Sequence, residues 1–318
     1  MTKHSQVLVA DIGGTNMRLA RILADGTIAE ETRVQADLSR FKHDNPESAM
    51  EHVLETLCSA FLPLLDKART GAIGIGFPGF FIGNSGVLAG SPNLPQLHNF
   101  ALAEELGKRL AVRVEAQNDA LCAAIGEHRF GAGKGSENLL HVTLGTGVGG
   151  GLILNREAYT GEHGMAMEFG HLRVVRSPDA RACGCGGKGC VEAYASANAV
   201  ADRYAIQTGI VTDCGSIHIA ACKGDAAAIS VLQEAGSYLG QALAEAIKLL
   251  DVETVTISGG LSGAWNMLYT PLMEDLNENL IPPLKGNIQV LCSTLDDRGG
   301  LLGAAVLAGV KESPAQGI

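Results

Sequence analysis

Three of the chain's eight cysteines fall within eight positions of the stretch RACGCGGKGCVEAYAS, residues 181–196. Cys183, Cys185 and Cys190 form a C-x-C-x4-C pattern interleaved with glycines, and Glu192 follows two residues later. Three soft thiolate donors suit a zinc ion, which needs a fourth ligand to close a tetrahedral structural site. His171, in EFGHLRV twelve residues upstream, is the nearest candidate. His163 is a second and lacks the tight glycine context. A disulfide is the competing reading, but it fits poorly with a chain expected in the reducing cytoplasm, since MTKHSQVLVADIGG at the N-terminus shows no secretory signal. A metal in this loop would also hold Glu168 and Glu192 in place as acceptors for several hydroxyls of one polyol. The remaining cysteines, at 58, 122, 214, 222 and 292, sit in apolar or helical contexts and read as core thiols.

A second group of residues suits phosphate chemistry. Asp11-Ile12-Gly13-Gly14-Thr15 ends an apolar strand with a carboxylate, two residues without a Cβ and a hydroxyl. Glycines let backbone N–H groups approach phosphate oxygens, a hydroxyl adds a donor, and the carboxylate can hold Mg²⁺ through water. LGTGVGGG, residues 144–151, offers the same groups again with Thr146 and Gly147, and Ser258-Gly259-Gly260 ends a third apolar run. Any one such loop is equally a hairpin turn; three of them favour a nucleotide. None matches the P-loop pattern or the dinucleotide fingerprint. Asn118-Asp119 stands at a strand-to-helix corner, where a carboxylate is commonly only a helix cap. Its chemical reading is a general base, taking the proton of a substrate hydroxyl as that hydroxyl attacks a γ-phosphate.

These groups need a scaffold. QVLVADIGGTNMRLARILADGTIAEETRV reads as three strands, with turns at the glycine loop and at Asp25-Gly26. PESAMEHVLETLCSAFLPLLDKA reads as a helix, with Ala49, Val53, Leu57 and Phe61 on its apolar face. A strand then runs into a loop at Pro78-Gly79, and SPNLP forms a second rigid loop. VRVEAQNDALCAAIGEHRFG is a strand, the Asn118-Asp119 corner and a helix. LLHVTLGTGVGGGLILNREAYTG repeats the opening strand–glycine loop–strand outline, and residues 197–250 are alanine-rich and helical. The chain is thus expected to be α/β, with two related halves. Its 318 residues exceed one comfortable core, and 41 glycines imply several tight turns. Apolar residues make up 46% and charged residues 18%, the balance of a folded globular chain. A net charge of −10 argues against a nucleic-acid surface, and no apolar run is long enough for a membrane span.

DIGGTN, QNDA, LGTGVGGGLI, EFGH and CGCGGKGCVEAYAS together resemble the ROK family of bacterial sugar kinases and sugar-responsive repressors, over about residues 7 to 309. The resemblance implies the two-lobed actin-like ATPase fold of hexokinases, with a cleft between lobes. It divides the chain into 1–117, joined by a C-terminal helix over 298–318, and 118–297, which carries the zinc loop. It implies ATP-dependent phosphorylation of a hexose, usually at the 6-hydroxyl, with Asp119 as base. Glucose is favoured, with N-acetylglucosamine or N-acetylmannosamine as alternatives. Asn118, Glu168, His171 and Glu192 would bind the sugar, together with Gly79 and Asn93, and His171 would also ligate zinc with the three cysteines. Asp11, Gly13, Gly14, Thr15, Thr146 and Gly147 would attend the phosphates and Mg²⁺, and Gly259 and Gly260 the adenosine. The family suggests a homodimer. Its repressors carry a DNA-binding domain ahead of the first glycine loop, and the ten residues before Asp11 leave no room for one, so an enzyme is expected over a sugar sensor. Two departures bear on the sugar's identity: Met167 stands where the family usually has glycine, and GFPGFF places Phe80 and Phe81 in a loop that is commonly more polar.

Overall fold

A computed structural model describes residues 6–13 and 16–311; Gly14 and Thr15 of the first glycine loop therefore lie outside the described residues. The chain divides into two compact α/β units. The first holds residues through 135, residues 157–166 and those from 298 onward, and the second holds 136–156 and 167–297.

In the first unit, β1 (Gln6–Ile12), β2 (Asn16–Leu23) and β3 (Ile28–Gln35) form an antiparallel meander, and Gly26 takes the left-handed turn between the last two at φ 86°. β4 (Thr70–Phe77) and β8 (Arg113–Asn118) extend the sheet in parallel, giving the order β3-β2-β1-β4-β8. Because helices cover both faces of β1 and β4, both strands read as near-continuous apolar runs. On one face lies α1 (Pro46–Phe61), started by Asn45, whose side chain accepts the Ser48 N–H at 2.9 Å. Ala49, Val53, Leu57 and Phe61 are its buried stripe. The helix stops short of the segment read from sequence: Leu62–Leu64, with Pro63 at its centre, tightens into a 3₁₀ turn. α2 (Leu102–Leu110) packs beside it. Between β4 and α2 sits a small sheet of β5 (Phe80–Phe81), β6 (Leu88–Gly90) and β7 (His98–Phe100).

The other face is covered by α3 (Asp119–Phe130) and α9 (Gly299–Leu307), with the short β11 (Glu157–Ala158) beside α3. Glycines set this packing. A Cβ on Gly74 would lie 1.9 Å from the Ala304 carbonyl, one on Gly126 2.0 Å from that of Gly299, and one on Gly303 1.7 Å from that of Cys122. This contact places the division differently from the sequence-drawn line at 117. Residues 118–135 stay in the first unit because α3 lies directly against α9 and β4.

The second unit repeats the plan. β9 (Leu139–Leu144) and β10 (Val148–Leu154) are antiparallel, and β12 (Thr254–Ser258) and β13 (Gln289–Cys292) extend the sheet from β9 in parallel. One face packs on α4 (Glu192–Ala195), α5 (Ala197–Thr208), α6 (Cys214–Cys222), α7 (Ala226–Leu250) and α8 (Trp265–Asn279). Ser196, Asp213 and Asp225 cap α5, α6 and α7 with their side chains. Gly236 and Gly240 let the backbone of α8 approach α7 closely. Among the described residues no helix is long and apolar enough to cross a membrane.

Candidate functional site

In the first unit, β1, β4 and β8 run parallel, and Asp11, Gly13, Gly79, Asn118 and Asp119 all lie at or just beyond their carboxyl ends, where open α/β sheets bind ligands. Asp11 lies one residue before the end of β1, with Gly76 of β4 opposite it in register. A Cβ on Gly76 would stand 3.5 Å from the Asp11 carboxylate and 3.5 Å from the Asp119 Cα, so the two aspartates flank one small gap. Gly300, in the first turn of α9, has even less room: its Cβ would lie 2.8 Å from the Asp11 carboxyl carbon. The amino end of α9 thus abuts this carboxylate. Burial pushes the Asp119 carboxyl above its ordinary range, while the Ala120 N–H, 2.9 Å from its Oδ1, pulls the other way. The buried Cys122 thiol is raised by burial and by both aspartates, so the three groups share one neighbourhood.

Asn118 caps α3, accepting the Leu121 N–H at 3.0 Å, and its amide donates to the Gly79 carbonyl at 3.1 Å. Two residues assigned to the sugar are therefore bonded to each other. Asn93 is exposed on the loop Ser91–Leu94, and Ser91 ties that loop to the same turn by donating to the Pro78 carbonyl at 2.7 Å. Gly13 donates to the Asn16 carbonyl at 2.9 Å across the first glycine loop. Of the two phenylalanines, Phe81 is fully buried edge-on against Phe77 and belongs to the core.

In the second unit, His171, Cys183, Cys185 and Cys190 bring one donor atom each to within 4.8 Å of the others; this cluster holds His171 and not His163. Cys183 Sγ is 3.6 Å from His171 Nδ1 and Cys185 Sγ is 3.7 Å from Cys190 Sγ. A tetrahedral ion with bonds of about 2.3 Å to sulfur spaces two thiolates about 3.7 Å apart, so this donor set fits zinc. The other ring nitrogen, His171 Nε2, lies 3.6 Å from Glu168 Oε2, within ion-pair reach of that carboxylate. Glycine turns shape the loop: Gly186 and Gly189 hold φ of 84° and 79°. Cys222 departs from the core-thiol expectation, being exposed at the end of α6 and 3.4 Å from His218 Nε2.

Glu192 joins this loop to the second glycine loop. Its Oε2 accepts the Val148 N–H at 3.0 Å, and its Oε1 is 3.6 Å from Cys183 Sγ. A Cβ on Gly147 would stand 2.4 Å from that same Oε2, so a larger residue there would have to displace the Glu192 carboxylate. Just beyond α4, the Ala197 N–H donates to the Gly145 carbonyl at 2.9 Å. The segment that follows Cys190 thus grips the loop Gly145–Val148 at both ends, leaving Thr146 exposed at its tip. Gly259, at φ 91°, lies against the Leu144 backbone and brings Gly260 beside that loop.

Sequence reasoning missed three features of these sites. Gly76 and Gly300 are space-makers around Asp11, and the signal for each was a glycine inside an apolar run with no turn to explain it. Gly150 and Gly170 seat the Glu168–His171 turn on β10, where Cβ atoms would meet the Met167 and Val148 carbonyls at 2.5 and 2.1 Å. Met167 itself sits at φ 68°, the conformation that explains why glycine is usual there.

Two α/β units, each a sheet in which an antiparallel hairpin is extended by parallel strands, define the actin-like ATPase fold. A solved ROK family glucokinase from Streptomyces griseus, in complex with glucose and AMPPNP, superposes with a TM-score of 0.80 at 30% identity, covering 95% of this chain and 98% of that one. The chain belongs to the ROK family, whose model matches residues 7–311. It is 32% identical over 317 residues to the glucokinase of Thermotoga maritima, with 94% of this chain and 96% of the relative aligned. A ROK family transcriptional regulator, a homologue of the E. coli MLC protein, is also similar, with a TM-score of 0.82 at 25% identity over 96% of this chain and 78% of that one.

Proposed function

We propose that this protein is an ATP-dependent hexose kinase that transfers the γ-phosphoryl group of MgATP to the 6-hydroxyl of a sugar, glucose being favoured. The observation that carries the reading is the placement of Asp119 at the carboxyl end of β8, across the Gly76 gap from Asp11. Burial raises its carboxyl toward the range where a general base works efficiently. In the proposed step Asp119 accepts the hydroxyl proton as the sugar oxygen bonds to the γ-phosphorus, and the bridging oxygen leaves with ADP. Little covalent chemistry falls to the protein, and the rest is alignment and charge neutralisation. Asp11 would hold Mg²⁺, which would neutralise phosphate charge, and the loops at Gly13–Thr15 and Gly145–Gly147 would offer N–H groups to phosphate oxygens. Gly259 and Gly260 flank the adenosine. Asn118, Glu168, His171 and Glu192 receive sugar hydroxyls, together with Gly79 and Asn93. Zinc, when bound by His171, Cys183, Cys185 and Cys190, supplies a fixed frame without an open coordination position.

A second reading, a sugar sensor without transfer, is favoured by the likeness to the regulator. ADP release separates the two, measured with MgATP over glucose, mannose, fructose, allose, N-acetylglucosamine and N-acetylmannosamine. The kinase reading expects one sugar to turn over with kcat/KM on the order of 10⁴ M⁻¹s⁻¹ or more. Turnover of an N-acetylhexosamine instead of glucose would keep the reaction and change the substrate. Sugar binding with no turnover on any of the six would favour the sensor.

A further inference from the structure

On β12 the second sheet carries Thr256 and Ser258 where β4 of the first carries Gly74 and Gly76. His141 of β9 is fully buried, as is its neighbour across the ladder, Thr256 of β12. His141 Nδ1 lies 2.9 Å from Thr256 Oγ1. Its Nε2 lies 3.1 Å from Thr143 Oγ1 and 3.0 Å from Ser258 Oγ, the pair one step nearer the carboxyl ends of the same two strands. One ring thus bonds three hydroxyls on two strands. Immediately beyond those hydroxyls the strands leave the sheet as the loops Gly145–Gly147 and Gly259–Gly260.

Four polar groups on one patch of a buried sheet call for explanation. Burial holds the ring neutral, with its pKa lowered to about 3, so the cluster is not an ion pair. Apolar residues of similar shape would serve stability as well, because a buried hydrogen-bonded pair gains little net over its apolar replacement. A network in which every member is bonded supplies directional restraint instead. We propose that His141 is a positioning residue: through Thr143, Thr256 and Ser258 it fixes the spacing and level of the two strand ends, and so holds the two glycine loops in register for one nucleotide. The nucleotide in this inference rests on the kinase reading.

The test uses the full-length protein and MgATP. His141→Leu is compared with His141→Leu/Thr256→Val, in which the directly facing hydroxyl is also replaced by an apolar group so that stability recovers. In both variants KM for MgATP is expected to rise about tenfold, with sugar KM and bound zinc unchanged. Amide exchange of residues 145–148 and 259–262 is expected to quicken about tenfold while that of 183–190 does not. Wild-type KM and wild-type exchange in a stable double variant would overturn the inference, and so would loss of nucleotide affinity, sugar affinity and zinc in step. If the wild type transfers no phosphate, it is the kinase reading that fails, and the exchange rates still decide whether His141 holds the loops.

Discussion

The two sheets are built on one plan and diverge at equivalent positions. In each, a strand ends, a three-residue loop turns the chain back, and a parallel strand lies on the other side. Counting back from the loops, Asp11 of β1 corresponds to Thr143 of β9, and Val9 to His141. Their ladder partners are Gly76 and Gly74 in the first sheet, Ser258 and Thr256 in the second. The first sheet is hollowed at this point: Gly74 admits the backbone of α9, and Gly76 leaves a gap between the Asp11 carboxylate and the Asp119 backbone. The second is filled there by hydrogen-bonded side chains and takes its carboxylate from outside the sheet, through Glu192. One half makes room around its carboxylates and the other fills the same positions with a hydrogen-bonded cluster behind a backbone loop.

If reactivity resides in the hollowed sheet, Asp119→Asn should lower kcat by about 10² to 10⁴ while sugar binding remains measurable by calorimetry. The sign of its effect on stability is opposite. A carboxyl raised by burial keeps its proton in the folded state after the unfolded chain has lost it, so its contribution to stability is present at low pH and is lost as pH rises through the folded value. At pH 7 the buried charge is a cost that asparagine removes, so Tm at pH 7 should rise. In the wild type the acid limb of kcat/KM should lie above the ordinary aspartate range. Unchanged turnover in Asp119→Asn would break the comparison outright.

Gly300→Ala probes the same hollow from the other side. Its methyl can fit only if the Asp11 carboxylate turns away. A displacement of that size should cost on the order of 10²-fold in kcat and raise the Mg²⁺ requirement, with Tm little changed. A large fall in Tm with normal turnover per folded molecule would mean that the glycine serves packing alone. The smallest effect is expected in the second unit, at Met167. Its left-handed backbone costs a side-chain-bearing residue about 1–2 kcal/mol. Glycine relieves that cost but adds about 0.4–1 kcal/mol of chain entropy, so Met167→Gly should stay within about 1 kcal/mol of wild type. Met167→Val, β-branched at positive φ, should be clearly less stable. Thermal melts ordering valine at or above methionine would refute the strain.

Much of this was legible in the sequence because it is local. The strand–loop–strand units, the Asn118-Asp119 corner and the cysteine spacing are all carried by neighbouring residues, and the structure has each where its pattern put it. The role of Gly300 was not legible, since its meaning depends on Asp11, nearly three hundred residues away. Nor was that of His141, which reads as one polar residue in an apolar strand until Thr256 and Ser258 are laid beside it. The placement of α3 with the first unit had the same cause: only the packing of Gly126 and Gly303 decides it.

The grip of Glu192 on the backbone at Val148 has a consequence for how such a protein can change over generations. One oxygen of that carboxylate is committed to the loop Gly145–Val148, so a substitution that moves Glu192 also moves Gly147 and Val148. If Glu192 meets the sugar and this loop the nucleotide, as proposed, sugar preference and nucleotide affinity would be inherited together. Drift toward a new substrate is expected to need paired substitutions on both sides of the glycine loop, and neither alone would be neutral.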